Sequence, residues 1–144
     1  VTDCRFDRAS YTENATGYFL TRSLMFWFWD IYCSPADRTD PRASPLRGQL
    51  AGLPPAYVVT CEFDPLRDEG IAYAEAMQAA GVPVEQLKAR GHFHSSFVMV
   101  DVVITSADGR RQMANALRRF AGLPLSTGQD NQQSDRANFN AAAS

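Results

Sequence analysis

The pattern of apolar and polar positions is sharpest in the middle of the chain. Residues 56–61 (AYVVTC) are a nearly continuous apolar run with β-branched members, the pattern of a strand buried on both faces of a parallel sheet. Ile71, Ala72, Tyr73, Ala76, Met77, Ala79 and Ala80 then recur on one helical face, behind Asp68 and Glu69 in a first turn where the helix dipole favours acids. Gly81 ends that helix and Pro83 prevents its resumption. Val84 to Ala89 (VEQLKA) alternates as a second, more exposed strand. Strand, helix and strand in that order predict a right-handed βαβ unit with parallel strands.

The flanks carry further elements. Ser10-Tyr11-Thr12-Glu13 has capping-box spacing and predicts a short helical turn beginning at Ser10. Thr21 is a candidate cap for a helix through Leu24 to Tyr32, which Pro35 closes. Its four successive bulky residues, Phe26 to Trp29, point all round a helix, so it is either sandwiched or roofs an apolar cavity. Residues 34–55, rich in proline and charge, read as connection. The apolar run Phe97 to Ile104 has no assignable period. Ser106 is placed to cap a last helix through Met113, Leu117 and Phe120, ended by Gly122 and Pro124. From Ser126 to Ser144 the text collapses to small and polar residues and predicts a disordered tail.

Composition narrows the function classes. A 144-residue chain that is 45% hydrophobic and 21% charged has enough apolar content for one globular unit. A formal charge of -2 supplies no basic field, so neither nucleic acid nor an anionic membrane is an expected partner. No apolar window reaches the length of a membrane span, and no basic-then-apolar leader opens the chain. Cys4, Cys33 and Cys61 are odd in number and widely spaced, and read as free thiols of a cytoplasmic protein. The start at Val1 suggests processing or a piece of a longer polypeptide.

The candidate chemistry sits at the carboxyl ends of the two expected strands, where open α/β sheets place their functional crevice. Asp64 closes the first strand, and the loop beyond the second carries His94. A histidine acting as general base needs a carboxylate on one ring nitrogen while the other faces the nucleophile. On spacing alone the alternative stands open that Asp64 starts an Asp-Pro turn and His94 is an ordinary loop histidine. His92 and His94 form an H-x-H pair, but no third ligand recurs at metal spacing, so no metal is expected. Asp68 could compete for the acid role; its place at the start of the helix favours capping.

The stretch Asp64-Pro65-Leu66-Arg67-Asp68-Glu69-Gly70, with Gly91-His92-Phe93-His94, resembles the C-terminal third of the hormone-sensitive-lipase-like esterases, the bacterial family IV of the α/β-hydrolase fold. The upstream segments ENATGYFLTRSLM, FWFWD and DPRASPL are similar to the same family, so the resemblance runs to about Pro124. It implies the last parallel strands and flanking helices of that fold plus a helical cap segment. Residues 1–50 would be cap and connection, 51–124 the C-terminal part of the catalytic domain, and 125–144 the tail. It further implies that Asp64 orients His94, that His94 relays the proton of a serine attacking an ester of short to medium acyl chain, and that no cofactor is used. Phe19, Leu20, Trp27 and Phe97 would line the substrate pocket, and the edge strand 84–89 would pair two copies.

Two departures qualify the resemblance. Most members follow the histidine with Gly-Phe, where this chain has Ser95-Ser96-Phe97. More consequentially, neither the G-x-S-x-G serine elbow nor an HGGG-type oxyanion loop occurs in these 144 residues. Ser95 and Ser96 read as pocket or turn residues. The chain is therefore expected to supply the relay half of an esterase and to be inactive alone. The competing expectations are a non-catalytic ligand-binding member of the same fold, or an interaction protein exposing an unfinished sheet edge.

Overall fold

A computed structural model describes residues 1–99 and 102–126. Its centre is the predicted βαβ unit: β1 (Ala56–Phe63), α3 (Arg67–Ala79) and β2 (Val84–Phe93), with the two strands paired in parallel. Upstream lie α1 (Ala9–Glu13) and α2 (Arg22–Tyr32), and downstream α4 (Ser106–Phe120). Both strands run past their predicted ends at Cys61 and Ala89, which brings the acid and the histidine directly onto the strand termini. Register holds from Ala56 opposite Val84 to Cys61 opposite Ala89, then slips so that Phe63 faces Phe93. Three residues of β2, Arg90 to His92, therefore bulge opposite Glu62. Gly91 takes a left-handed φ of +73° in the bulge, and its N–H, lost to the ladder, donates to Glu62 Oε2 at 2.8 Å.

Several local expectations are corrected. Thr21 does cap α2, its Oγ1 accepting from the Leu24 N–H at 3.2 Å. Ser10 does not cap α1, which starts one residue earlier; the serine is fully buried and its hydroxyl donates to the Pro65 carbonyl instead. Asp68 does not cap its own helix. It accepts from the Ser10 N–H of α1 at 2.8 Å, because α1 lies across the start of α3 and presents a free N-terminal donor there. Ser106 is likewise inside α4, its Oγ accepting from Arg110 Nη1 at 2.9 Å.

Two apolar regions organise the rest. Tyr11, Leu20, Met25 and Trp29 form the buried cluster between α1 and α2. Met25 and Trp29, one turn apart, are the buried face of α2, while Trp27, Ile31 and Tyr32 are exposed. Phe28, Trp29 and Tyr32 line an open apolar pocket of about 320 Å³ together with Val1, Ala43 and Pro45, so part of this helix borders an apolar pocket while Trp27 faces away from it. The unassigned run after Phe97 opens with a 3-10 turn, Ser96–Val98; Val98, Val102 and Ile104 are exposed. Of the expected tail, residues 127–144 lie outside the described residues, and Ser126 is tied back by its N–H to Asn115 Oδ1 at 2.9 Å. No helix among the described residues is long and apolar enough to cross a membrane.

Candidate active site

Asp64 and His94 meet at the strand ends. His94 Nδ1 lies 2.9 Å from Asp64 Oδ2. The other carboxylate oxygen, Oδ1, accepts the Leu66 N–H at 2.8 Å, an Asx turn that Pro65 pre-shapes. Asp64 is therefore both the start of an Asp-Pro turn and the partner of His94; the two readings left open by spacing are one structure. With 7% of Asp64 exposed, water competes little for the carboxylate, whereas the His94 side chain keeps 34% of its surface. With Nδ1 turned to the carboxylate, Nε2 is the ring nitrogen that points away from Asp64. Nε2 makes no hydrogen bond among the described residues, and the ring lines a cavity of about 410 Å³ walled by β1, α3, Phe97 and Met113.

The residue after the histidine explains a local constraint. Ser95 has φ 63° and ψ 5°, the left-handed region, so this chain carries a serine where the backbone favours glycine. Ser96 is fully buried, with its hydroxyl 2.8 Å from His92 Nδ1, which removes it from any approach to His94. His92 is engaged on both nitrogens, Nε2 lying 3.2 Å from Thr105 Oγ1, and its ring stacks on Phe97 at 4.5 Å and 5°. That histidine is a support beneath the site, and the H-x-H spacing reflects β2 geometry. No group of three or more His, Cys, Asp or Glu side chains among the described residues could hold a metal ion. Burial, with the Asp64 charge adding to it, pushes the Cys61 thiol beside the cavity up to about 11, while a hydrogen bond from Ser96 acts in the opposite direction. All three cysteines are free.

The four expected pocket residues are not brought together. Phe97 lines the His94 cavity. Phe19, itself at φ 62°, is largely exposed with its ring 6.5 Å from Phe93. Leu20 is buried in the α1–α2 cluster, and Trp27 is exposed against Phe28. Residues that pattern reasoning passed over carry much of the support. Glu69, only 1% exposed, accepts from the Thr2 N–H at 2.6 Å and from the Tyr11 hydroxyl at 3.0 Å. Its one signal in the sequence was an acid in the first turn of a helix, which equally describes a solvated residue.

The family described as the alpha/beta hydrolase fold matches residues 1–98. The chain belongs to the α/β-hydrolase fold family. The expected likeness to esterases of that fold is borne out by individual relatives. An ethyl acetate hydrolase of Pseudomonas putida is 36% identical over 121 residues, 83% of this chain and 38% of that protein. Among solved structures, a thermostable esterase from Pseudomonas putida is 54% identical over 62% of this chain and 29% of its own, with a TM-score of 0.59. The carboxylesterase EstE1, cloned from a metagenomic library, is 34% identical over 88% of this chain and 43% of its own, with a TM-score of 0.79. The chain thus spans less than half the length of these α/β hydrolases.

Proposed function

We propose that this chain is the C-terminal portion of a carboxylic-ester hydrolase of the hormone-sensitive-lipase-like kind, with Asp64 and His94 as two members of a Ser-His-Asp triad. The observation that carries the reading is the 2.9 Å contact between Asp64 Oδ2 and His94 Nδ1, with the ring lining a cavity. In the reaction, His94 Nε2 takes the proton of a serine hydroxyl as its oxygen attacks the ester carbonyl. The imidazolium so formed is stabilised by the ionised Asp64, and its proton then goes to the leaving alcohol. The same nitrogen next activates the water that cleaves the acyl-serine. Asp64 fixes the tautomer throughout, keeping the proton on Nδ1 and the lone pair on Nε2.

The nucleophile and the oxyanion donors lie outside these 144 residues on this reading. Residues 1–50 form the cap segment and residues 51–124 the catalytic part. Exposed apolar side chains at Val98, Val102 and Ile104 are what such a part presents where the remainder of the fold packs. Pairing of two copies through 84–89 belongs to the same reading, supported by a β2 edge that is unpaired among the described residues. In the polypeptide that carries this segment, His94→Ala lowers turnover of a short p-nitrophenyl ester by about 10⁴ to 10⁶, and the 144-residue chain alone shows no His94-dependent turnover. Undiminished hydrolysis by the His94→Ala polypeptide refutes the assignment, and His94-dependent turnover by the isolated chain refutes its incompleteness.

A further inference from the structure

The turn that presents Asp64 is held from behind by one short helix. Asn14, the residue that closes α1, donates from Nδ2 to the carbonyls of Glu62 and Asp64, at 3.3 Å each. One turn earlier, Ser10 Oγ donates to the carbonyl of Pro65 at 2.7 Å. Three main-chain acceptors within residues 62–65 thus end on two side chains 0% and 3% exposed, with the bonds to Asp64 and Pro65 buried and the one to Glu62 part-buried. The contact is reciprocal: Asp68 Oδ2 accepts the Ser10 N–H at 2.8 Å, and the Asp68 N–H donates to Ser10 Oγ at 3.3 Å. Arg67 adds an outer tie, its Nη2 reaching Glu13 Oε2 at 2.7 Å and its Nη1 the Glu62 carbonyl at 3.2 Å.

Asp64 has two separate freedoms to lose before it can hold a histidine. The Leu66 N–H on Oδ1 restrains the carboxylate, but leaves the main chain of the turn to move as a unit. Main-chain movement is what the α1 side chains restrain. We propose that Asn14, assisted by Ser10, is a positioning residue for Asp64: it fixes the backbone of the turn so that Oδ2 stays within bonding distance of His94 Nδ1. The proposal rests on reading Asp64 and His94 as a working pair. A small displacement there weakens the hold on the tautomer, and catalytic geometry is sensitive at the ångström scale.

The test uses the whole chain with ¹⁵N-labelled histidine. A proton on Nδ1 bonded to a carboxylate gives a far-downfield resonance whose exchange with water reports how continuously the bond is made; its loss in His94→Gln assigns it. Asn14→Ala is expected to abolish the resonance through rapid exchange, and Ser10→Ala to speed its exchange several-fold. Met25→Ala, in the hydrophobic cluster, is expected to lower the melting temperature and leave the resonance unchanged. A folded Asn14→Ala chain with wild-type exchange overturns the proposal. If Asn14→Ala fails to fold, Ser10→Ala decides: unchanged exchange overturns the proposal. Loss of the resonance in Met25→Ala also overturns it, since any destabilisation would then suffice. Absence of the resonance from the unsubstituted chain, or its persistence in Asp64→Asn, sinks the pair itself, a failure distinguishable from that of Asn14.

Discussion

Tyr11 and Glu69 tie α1 to α3 through a single buried hydrogen bond, and its strength can be measured. The two side chains are 0% and 1% exposed, and the hydroxyl donates to Glu69 Oε2 at 3.0 Å. Burial, reinforced by the adjacent carboxylate, holds the Tyr11 phenol far above its ordinary pKa, so it remains a donor. Burial also raises the Glu69 pKa, with the Thr2 and Tyr11 donors pulling it back. Tyr11→Phe deletes the hydroxyl and keeps the ring, with its edge-to-face contact on Phe6 at 5.1 Å and 71°. A hydrogen bond to a charged group contributes about 1.5–3 kcal/mol, so the variant loses that much at neutral pH, or about 6–12 °C in melting temperature for a domain of this size.

The pH dependence of that loss has a definite sign. A carboxyl whose folded pKa is raised contributes fully below its unfolded value, here 4.5, and loses that contribution as pH rises through the folded value. Removing the Tyr11 donor raises the folded value further, so the variant falls progressively behind above that pH. In acid, where the carboxyl is protonated in both proteins, the missing bond is a neutral one of about 1 kcal/mol. Urea unfolding followed by tryptophan fluorescence, at about pH 4 and about pH 7, measures both differences. A loss under about 0.5 kcal/mol at neutral pH, below the range for even a neutral bond, or an equal loss at both pH values, refutes the reasoning.

Four further outcomes are expected. Gly109→Ala places a Cβ 2.0 Å from Phe97 Cε1; overpacking of about 1–3 kcal/mol, offset by about 1 kcal/mol of helix propensity, leaves a net loss of up to about 2 kcal/mol, seen in the melt together with shifted His92 ring resonances. Ser95→Gly relieves a left-handed serine at φ 63°; about 1–2 kcal/mol of relief less about 0.5–1 kcal/mol of added chain entropy predicts a gain near 0.5–1 kcal/mol in denaturant titration. Cys61, with its pKa at about 11, resists a thiol reagent at neutral pH, and mass spectrometry should find Cys4 and Cys33 labelled first. Although burial of Asp3 acts to raise its pKa, hydrogen bonds from Arg5 and Arg47 bring it below the model-compound value of 3.8. Its contribution is therefore present above that value and lost as pH falls through the folded one, and Asp3→Asn should flatten the acid limb of a stability–pH curve.

Much of the frame was legible because its causes are local. The β-branched run at 56–61, the helical period from Ile71 to Ala80 and the break at Gly81 each act over a few residues, and β1, α3 and β2 appeared where they pointed. The Asp64 and His94 motifs were equally readable, since their residue types and order are written in the chain. What the sequence could not determine was which long-range partner each polar group would take. Ser10 and Asp68 had the look of caps for their own helices, yet they bond to each other across 58 positions, and Asn14, inside a segment that resembled the family, carried no periodicity or spacing that named its partners. Propensity and periodicity describe a residue against its neighbours in the chain, whereas a buried hydrogen bond goes to whichever donor or acceptor the fold brings within about 3 Å. That Asp64 and His94 were candidates could be read from the sequence. That they touch, with α1 braced against the turn beneath them, was decided by the three-residue bulge in β2 and the packing of α1 on α3.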